Sequence, residues 1–167
     1  MTGSPPATLS VTLPSDTAWL HLVTNLARNA AEAAGLSEAD ANKVALATDE
    51  AVTNVIEHAY HGRPGHQIEI RLELRDEGIE VHIIHGGDPI DASRLSERYD
   101  PRELKSGRRG GYGIVLMKRY MDRVDFRPTA DRRSECCLVK HRTVADTTGG
   151  GGDEGGLAGA GTRVSRG

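Results

Sequence analysis

Residues Asp49-Glu50-Ala51-Val52-Thr53-Asn54-Val55-Ile56-Glu57-His58-Ala59-Tyr60 read as one amphipathic helix whose polar edge carries Glu50, Asn54 and His58. Side chains at four-residue intervals share a helix face, and the apolar group Val44, Ala51, Val52, Val55 and Ala59 centres roughly a quarter to a third of a turn away. The stripe therefore lies at the rim of a buried face, where a carboxylate and an amide are held rigidly and a ligand can reach them. An ordinary amphipathic helix with a solvated edge has the same pattern, so the assignment needs a second element.

Gly110-Gly111-Tyr112-Gly113 supplies it, followed at once by the helical run Ile114-Val115-Leu116-Met117-Lys118-Arg119-Tyr120-Met121. Glycines let a backbone approach a phosphate closely, and the free N–H groups and dipole of a helix N-terminus favour an anion. The run is neither a Walker A loop nor a complete GxGxxG, and a plain Gly-rich turn before a core helix is the competing reading. Stripe and glycine run together point to a nucleotide.

Working outward, Leu9, Val11 and Leu13 alternate as a short strand ending at Pro14. Ser15 or Asp16 caps a helix whose apolar residues, Trp19, Leu20, Val23, Leu26, Ala27 and Ala30, run to about Ala34 before Gly35 stops it. Ser37, with Asp40 three residues on, resembles a capping box and opens a helix over about 38–60. Ile68, Ile70, Leu72 and Leu74 alternate with charged residues, and the chain turns at 75–78 into Ile79–Ile84, predicting an antiparallel hairpin with one wet face. Helix 113–121 and the strands Arg123–Arg127 and Ser134–Lys140 close the order βααββ, lid, αββ.

Eleven of the 22 residues from Asp88 to Arg109 are charged, with only a short possible helix near Ala92 to Arg98. A segment this long within a domain reads as a lid or binding loop, its alternative being a surface excursion. Nine of the 24 residues from Val144 to Gly167 are glycine and no periodicity survives, so a disordered tail is expected over 143–167 and a flexible N-terminus over 1–7. Between them, residues 8–142 form one domain.

The 167 residues are 37% hydrophobic with a formal charge of −3, enough for one core and without the basic footprint of a nucleic-acid binder. Cys136 and Cys137 are adjacent, point to opposite faces of a strand and make no disulfide framework. Met1–Ser10 carries no positively charged leader and no later segment reaches membrane-spanning length, so a soluble protein in a reducing cytoplasm is expected. His58-x-x-His61 and His82-x-x-His85 raise a zinc reading, but residues three apart on a strand face opposite ways.

These residues resemble the GHKL ATPase superfamily, and within it the small bacterial anti-sigma-factor serine/threonine-protein kinases, over roughly residues 8–142. Glu50 to Asn54, continuing through Glu57-His58-Ala59-Tyr60, is similar to that family's N-box, and Gly110 to Ile114 to its phosphate-binding box. The resemblance implies an α+β fold, a Bergerat-type two-layer α/β sandwich with a mixed, mostly antiparallel sheet, helices on one face, and ATP under a lid at about 88–109. It implies Glu50 as the general base that orients a serine hydroxyl, Asn54 as the side-chain ligand of Mg²⁺, and Gly110, Gly111, Tyr112 and Gly113 around the phosphates. Arg108 and Arg109 would meet the triphosphate from the lid, and His58 either hydrogen-bonds near the site or packs at the helix edge.

The family has an Asp after the second hairpin strand to accept the adenine amino hydrogen, and here His85 stands in its place. Gly87 falls on the first glycine of that box and Ile90-Asp91 on its trailing pair, with Pro89 where many relatives have a glycine and Asp88 as a less regular acid. A neutral imidazole keeps one acceptor nitrogen whereas a protonated one is donor-only, so binding is expected to weaken as His85 protonates.

The implied function is an ATP-dependent kinase that phosphorylates an anti-anti-sigma (STAS-type) protein and sequesters a sigma factor, thereby regulating transcription. The competing expectation, favoured by His85 and Pro89, is a catalytically weak or nucleotide-independent partner-binding module of the same fold. Histidine kinases, topoisomerases and chaperones of the superfamily carry further domains that a chain of this length does not accommodate. Proteins of this kind commonly dimerise, and the first helix, where periodicity exposes Arg28, is a candidate partner surface.

Overall fold

The computed structural model describes residues 6–91, 93 and 113–143. The chain runs β1 (Ala7–Pro14), a short 3₁₀ turn (Thr17–Trp19), α1 (Leu20–Ala33) and α2 (Glu38–Asn54), which continues as a π-helical turn over Val55–Ala59. β2 (Gln67–Arg75) and β3 (Gly78–His85) follow, then α3 (Gly113–Tyr120), β4 (Arg123–Pro128) and β5 (Ser134–His141). This is the element order expected from the periodicities.

Local chemistry sets the boundaries. The Asp16 side chain accepts from the Ala18 N–H at 2.8 Å and caps the 3₁₀ turn, which takes up the first residues of the expected first helix. At the other end of α1, Gly35 adopts φ +82°, the Gly35 N–H donates to the Glu32 carbonyl and the Leu36 N–H to the Ala31 carbonyl. That is a Schellman stop, which favours glycine at its left-handed position. Ser37 then caps α2, its hydroxyl accepting from the Asp40 N–H at 3.2 Å.

The five strands form one sheet in the order β1-β2-β3-β5-β4, and the mostly antiparallel sheet expected is antiparallel at every pair. Ile68, Ile70, Leu72, Ile79, Val81, Ile83, Cys136 and Leu138 face the helices and join Val23, Ala27, Val44, Ala51, Val55, Ile114 and Met117 in one core. The alanines of α1 and α2 keep those helices close to each other and to the sheet.

The other sheet face is only partly wet. On β2, Glu69 and Arg71 pair at 3.0 Å near solvent, but on β3 and β5 the residues His82, Ile84, Glu135 and Cys137 are buried. Cys136 and Cys137 take opposite faces as free thiols, as strand alternation requires. No helix among the described residues is long and apolar enough to cross a membrane.

Candidate functional site

Glu50 and Asn54 occupy the last turns of α2, half-buried and buried respectively, at the edge of the helical layer. The regular helix expected to reach residue 60 ends at Asn54 and widens into the π turn, which inserts extra arc between Asn54 and His58. Glu50 and Asn54 therefore keep their common face, whereas His58 leaves it and is exposed to solvent. The π turn left no mark in the periodicity, since Val55, Ile56 and Ala59 are apolar enough to pack in either winding.

Gly113 brings the second element to the first. A Cβ at this position would stand 2.6 Å from Glu50 Oε2, 3.3 Å from Asn54 Nδ2 and 3.5 Å from Asn54 Oδ1. The backbone opening α3 thus lies directly over the carboxylate and amide of α2, and any side chain at 113 would displace the Glu50 carboxylate from where it now stands. Ile114 and Met117, fully buried, fix α3 in that position. Among the described residues Asn54 Nδ2 is buried without a hydrogen-bond partner.

The turn after β3 is clamped to the end of the π turn. The Tyr60 hydroxyl accepts from the Gly86 N–H at 3.0 Å and donates to the Gln67 carbonyl at 2.8 Å, while the Asp88 N–H donates to the Ala59 carbonyl at 3.0 Å. A Cβ on Gly87 would meet the Ala59 carbonyl oxygen at 2.6 Å, so this glycine too is dictated by close approach. Tyr60 was legible as part of the helix but not as the stitch between three segments, because its partners lie on strands whose register is tertiary.

His85 ends β3 on the helix-facing side, 2% exposed, its ring edge-on to Tyr60 with centroids 6.0 Å apart. Its Nδ1 has no hydrogen-bond partner among the described residues. Burial lowers its pKa from 6.5 to about 4, so it is neutral near neutrality and retains an acceptor nitrogen. Burial thereby moves any weakening of binding through His85 protonation to acid pH, near that lowered value. Asp88 is no substitute acid, because its exposed carboxylate pairs with His61 Nε2 at 2.8 Å.

A cavity of about 270 Å³ opens beside His85, walled by Pro89, Ile90, Phe126 and Pro128 with Ser134 at its edge. Its size is near the lower end for small-molecule sites, and its mostly apolar lining, with His85, Arg127 and Glu135 as polar members, suits a flat heteroaromatic ring. Phe126 and Ser134 gave no signal in the sequence, since only the β3–β5–β4 register brings them to His85. Of the other expected site residues, Arg108, Arg109, Gly110, Gly111 and Tyr112 lie outside the described residues, as does nearly all of the expected lid and the tail.

The sequence profile of the histidine kinase-like ATPase domain matches residues 13–140. The chain belongs to that family. Among curated relatives, the serine-protein kinase RsbW of Oceanobacillus iheyensis is 30% identical over 94 residues, covering 54% of this chain and 60% of its own length. The anti-sigma F factor of the same organism is 29% identical over 108 residues, covering 63% of this chain and 72% of its own. Among solved structures, the RsbU and RsbW domains of Rv1364c from Mycobacterium tuberculosis share the fold, with a TM-score of 0.55 and 18% identity over 85% of this chain and 35% of that one.

For this histidine kinase-like ATPase domain the residues present fit ATP and Mg²⁺. The observations are the buried Asn54 Nδ2, a donor without a partner among the described residues, the Gly113 backbone lying against the Glu50 and Asn54 side chains, and the buried His85 beside a largely apolar cavity. One amide oxygen near a carboxylate matches the small protein donor set of Mg²⁺, which keeps waters and takes phosphate oxygens.

Proposed function

We propose that the protein is an ATP-dependent serine-protein kinase and anti-sigma factor, acting in a reducing cytoplasm on an anti-anti-sigma protein. The observation that carries this reading is the convergence of Glu50, Asn54 and the Gly113 backbone at one point. When bound, ATP with Mg²⁺ supplies the phosphoryl group and the countercharge on it. Glu50 offers Oε2 to the proton of an incoming serine hydroxyl and orients that oxygen. Asn54 would hold the metal through its amide oxygen, and the opening of α3 would present N–H groups to an anion. His85 would hold the base through a ring nitrogen, with Phe126, Ile90 and Pro89 excluding water around it.

Sequestration of a sigma factor and phosphorylation of its antagonist are supported by the names of the relatives, which this chain matches over part of its length. The test is calorimetry of ATP·Mg on the wild type and on Asn54→Ala, followed by phosphate transfer to a purified antagonist with and without Glu50→Ala. Micromolar binding lost in Asn54→Ala and transfer lost in Glu50→Ala support the kinase. Undetectable binding up to millimolar ATP in folded protein replaces it with the binding module that the His85 exchange favours.

A further inference from the structure

On the sheet face away from the helices, β2, β3 and β5 bring together Glu73, Glu80, His82, Glu135 and Cys137. Glu73 pairs with Glu80 across β2 and β3, and His82 with Cys137 across β3 and β5. His82 is 5% exposed and Cys137 fully buried, so this cluster is no solvated charge patch. The His82 Nδ1 hydrogen-bonds Glu135 Oε1 at 2.8 Å. Glu135 is itself anchored: burial pushes its carboxyl up, but hydrogen bonds from Arg127 and His82 outweigh that and hold it low.

The other ring nitrogen, Nε2, is buried and makes no hydrogen bond among the described residues. It faces Glu80 Oε2 at 3.6 Å and Glu73 Oε1 at 3.7 Å, while the second oxygen of each carboxylate is taken by Arg75. One ligand atom each from Glu80, His82 and Cys137 lies within 4.8 Å of the others. The two nitrogen–oxygen separations exceed a hydrogen bond but approach the roughly 3.3 Å between two N or O ligands on one tetrahedral ion, and the thiol must close on them as an ion enters. A ring nitrogen aimed at the ligand set, with a carboxylate fixing the opposite nitrogen, is the arrangement that orients metal-binding histidines.

We propose that Glu80, His82 and Cys137 form a binding site for a zinc-class divalent cation on the sheet face away from the helices. Glu80 contributes Oε2, His82 Nε2 and Cys137 a thiolate whose proton leaves to solvent as the ion enters; Glu73 Oε1 or water completes a four-coordinate shell. Thiolate and imidazole select zinc or cobalt over Mg²⁺, which prefers oxygen. The partly exposed carboxylates of Glu73 and Glu80 form the entrance. Neither His-x-x-His spacing predicts this site, because its ligands come from two strands and only His82 belongs to such a pair.

The test is titration of the untagged, chelator-stripped full chain with Co²⁺ alone, followed by absorption, with zinc as competitor. One equivalent should bind with a thiolate-to-cobalt charge-transfer band that zinc abolishes and excess Mg²⁺ leaves intact. Cys137→Ser should remove the band and Cys136→Ala should keep it, with circular dichroism reporting folding. Glu80→Gln, at a partly exposed position, should weaken cobalt at least about tenfold and keeps the test decisive if Cys137→Ser does not fold. No stoichiometric binding, a band surviving in Cys137→Ser, or unchanged affinity in Glu80→Gln overturns the proposal and leaves an ion-pair network only.

Discussion

Gly113 and Glu50 touch across the helical layer so closely that a single added carbon on the glycine would sit 2.6 Å from the carboxylate oxygen. The obstructing atom is the far end of a flexible side chain, which can swing aside. Gly113→Ala should therefore cost the fold less than about 1 kcal/mol, since alanine also gains helix propensity. Its effect on function should be far larger, because the carboxylate must leave the position from which it reaches a hydroxyl. Phosphate transfer is expected to fall on the order of a hundredfold or more with the melting temperature nearly unchanged. Equal loss of stability and activity would mean that Gly113 serves packing alone.

Gly87 makes the opposite case. Its hypothetical Cβ meets the Ala59 carbonyl oxygen at 2.6 Å, the Ala59 carbonyl carbon at 2.9 Å and the Tyr60 ring at 2.9 Å. Two of these atoms belong to a backbone held by the π turn, and the Asp88 N–H bonds the same carbonyl. Relief requires moving main chain, so Gly87→Ala should destabilise by about 1–3 kcal/mol. Urea unfolding compared with Gly113→Ala tests this contrast; similar midpoints for the two variants would contradict it.

Tyr60→Phe removes an oxygen that serves Gly86 and Gln67 at once. Each backbone group left without a partner costs about 1–3 kcal/mol if water does not replace the hydroxyl. The ring packing against His85 and His66 is preserved in phenylalanine, so the loss isolates the hydrogen bonds. A stability drop in that range, with protection of the Gly86 amide from hydrogen exchange lost first, is expected. Retained protection at Gly86 would count against the stitch.

The strands and helices were legible because their apolar periods of two and about 3.6 residues are local properties, and Ser37, Gly35 and Asp16 mark boundaries by side-chain chemistry of their own. Glu50 and Asn54 were legible for the same reason, both lying on one regular helix. His58 was not, because the π turn changes the winding without changing composition. The burial of His82 and Glu135 on a face expected to be wet was equally hidden: a charged residue on a strand reads as exposed unless its cross-strand partners are known. The all-antiparallel order follows from β4 forming a hairpin with β5 at the sheet edge, so that β5 is the strand that docks on β3.

His85 gives the chain a pH-dependent stability that begins above the carboxylate range. In the folded state burial lowers its pKa from the ordinary 6.5 to about 4, so the unfolded chain binds a proton that the folded chain refuses. Stability is then full above pH 6.5 and is lost as the pH falls toward 4, by about 3 kcal/mol in total at roughly 1.4 kcal/mol per unit. Asp40, Glu69, Asp122 and Glu135 also have lowered folded values, but their ordinary values of 3.8 or 4.5 place their losses at lower pH. Between pH 6.5 and 5 the His85 contribution therefore stands apart from these four. His85→Asn removes the titration while keeping a polar, acceptor-bearing side chain in the site. Its unfolding free energy should fall less steeply over that interval, by nearly one proton, when both proteins are unfolded in urea at half-unit pH steps. Parallel slopes would mean that His85 is protonated without cost and that the cavity beside it already admits water.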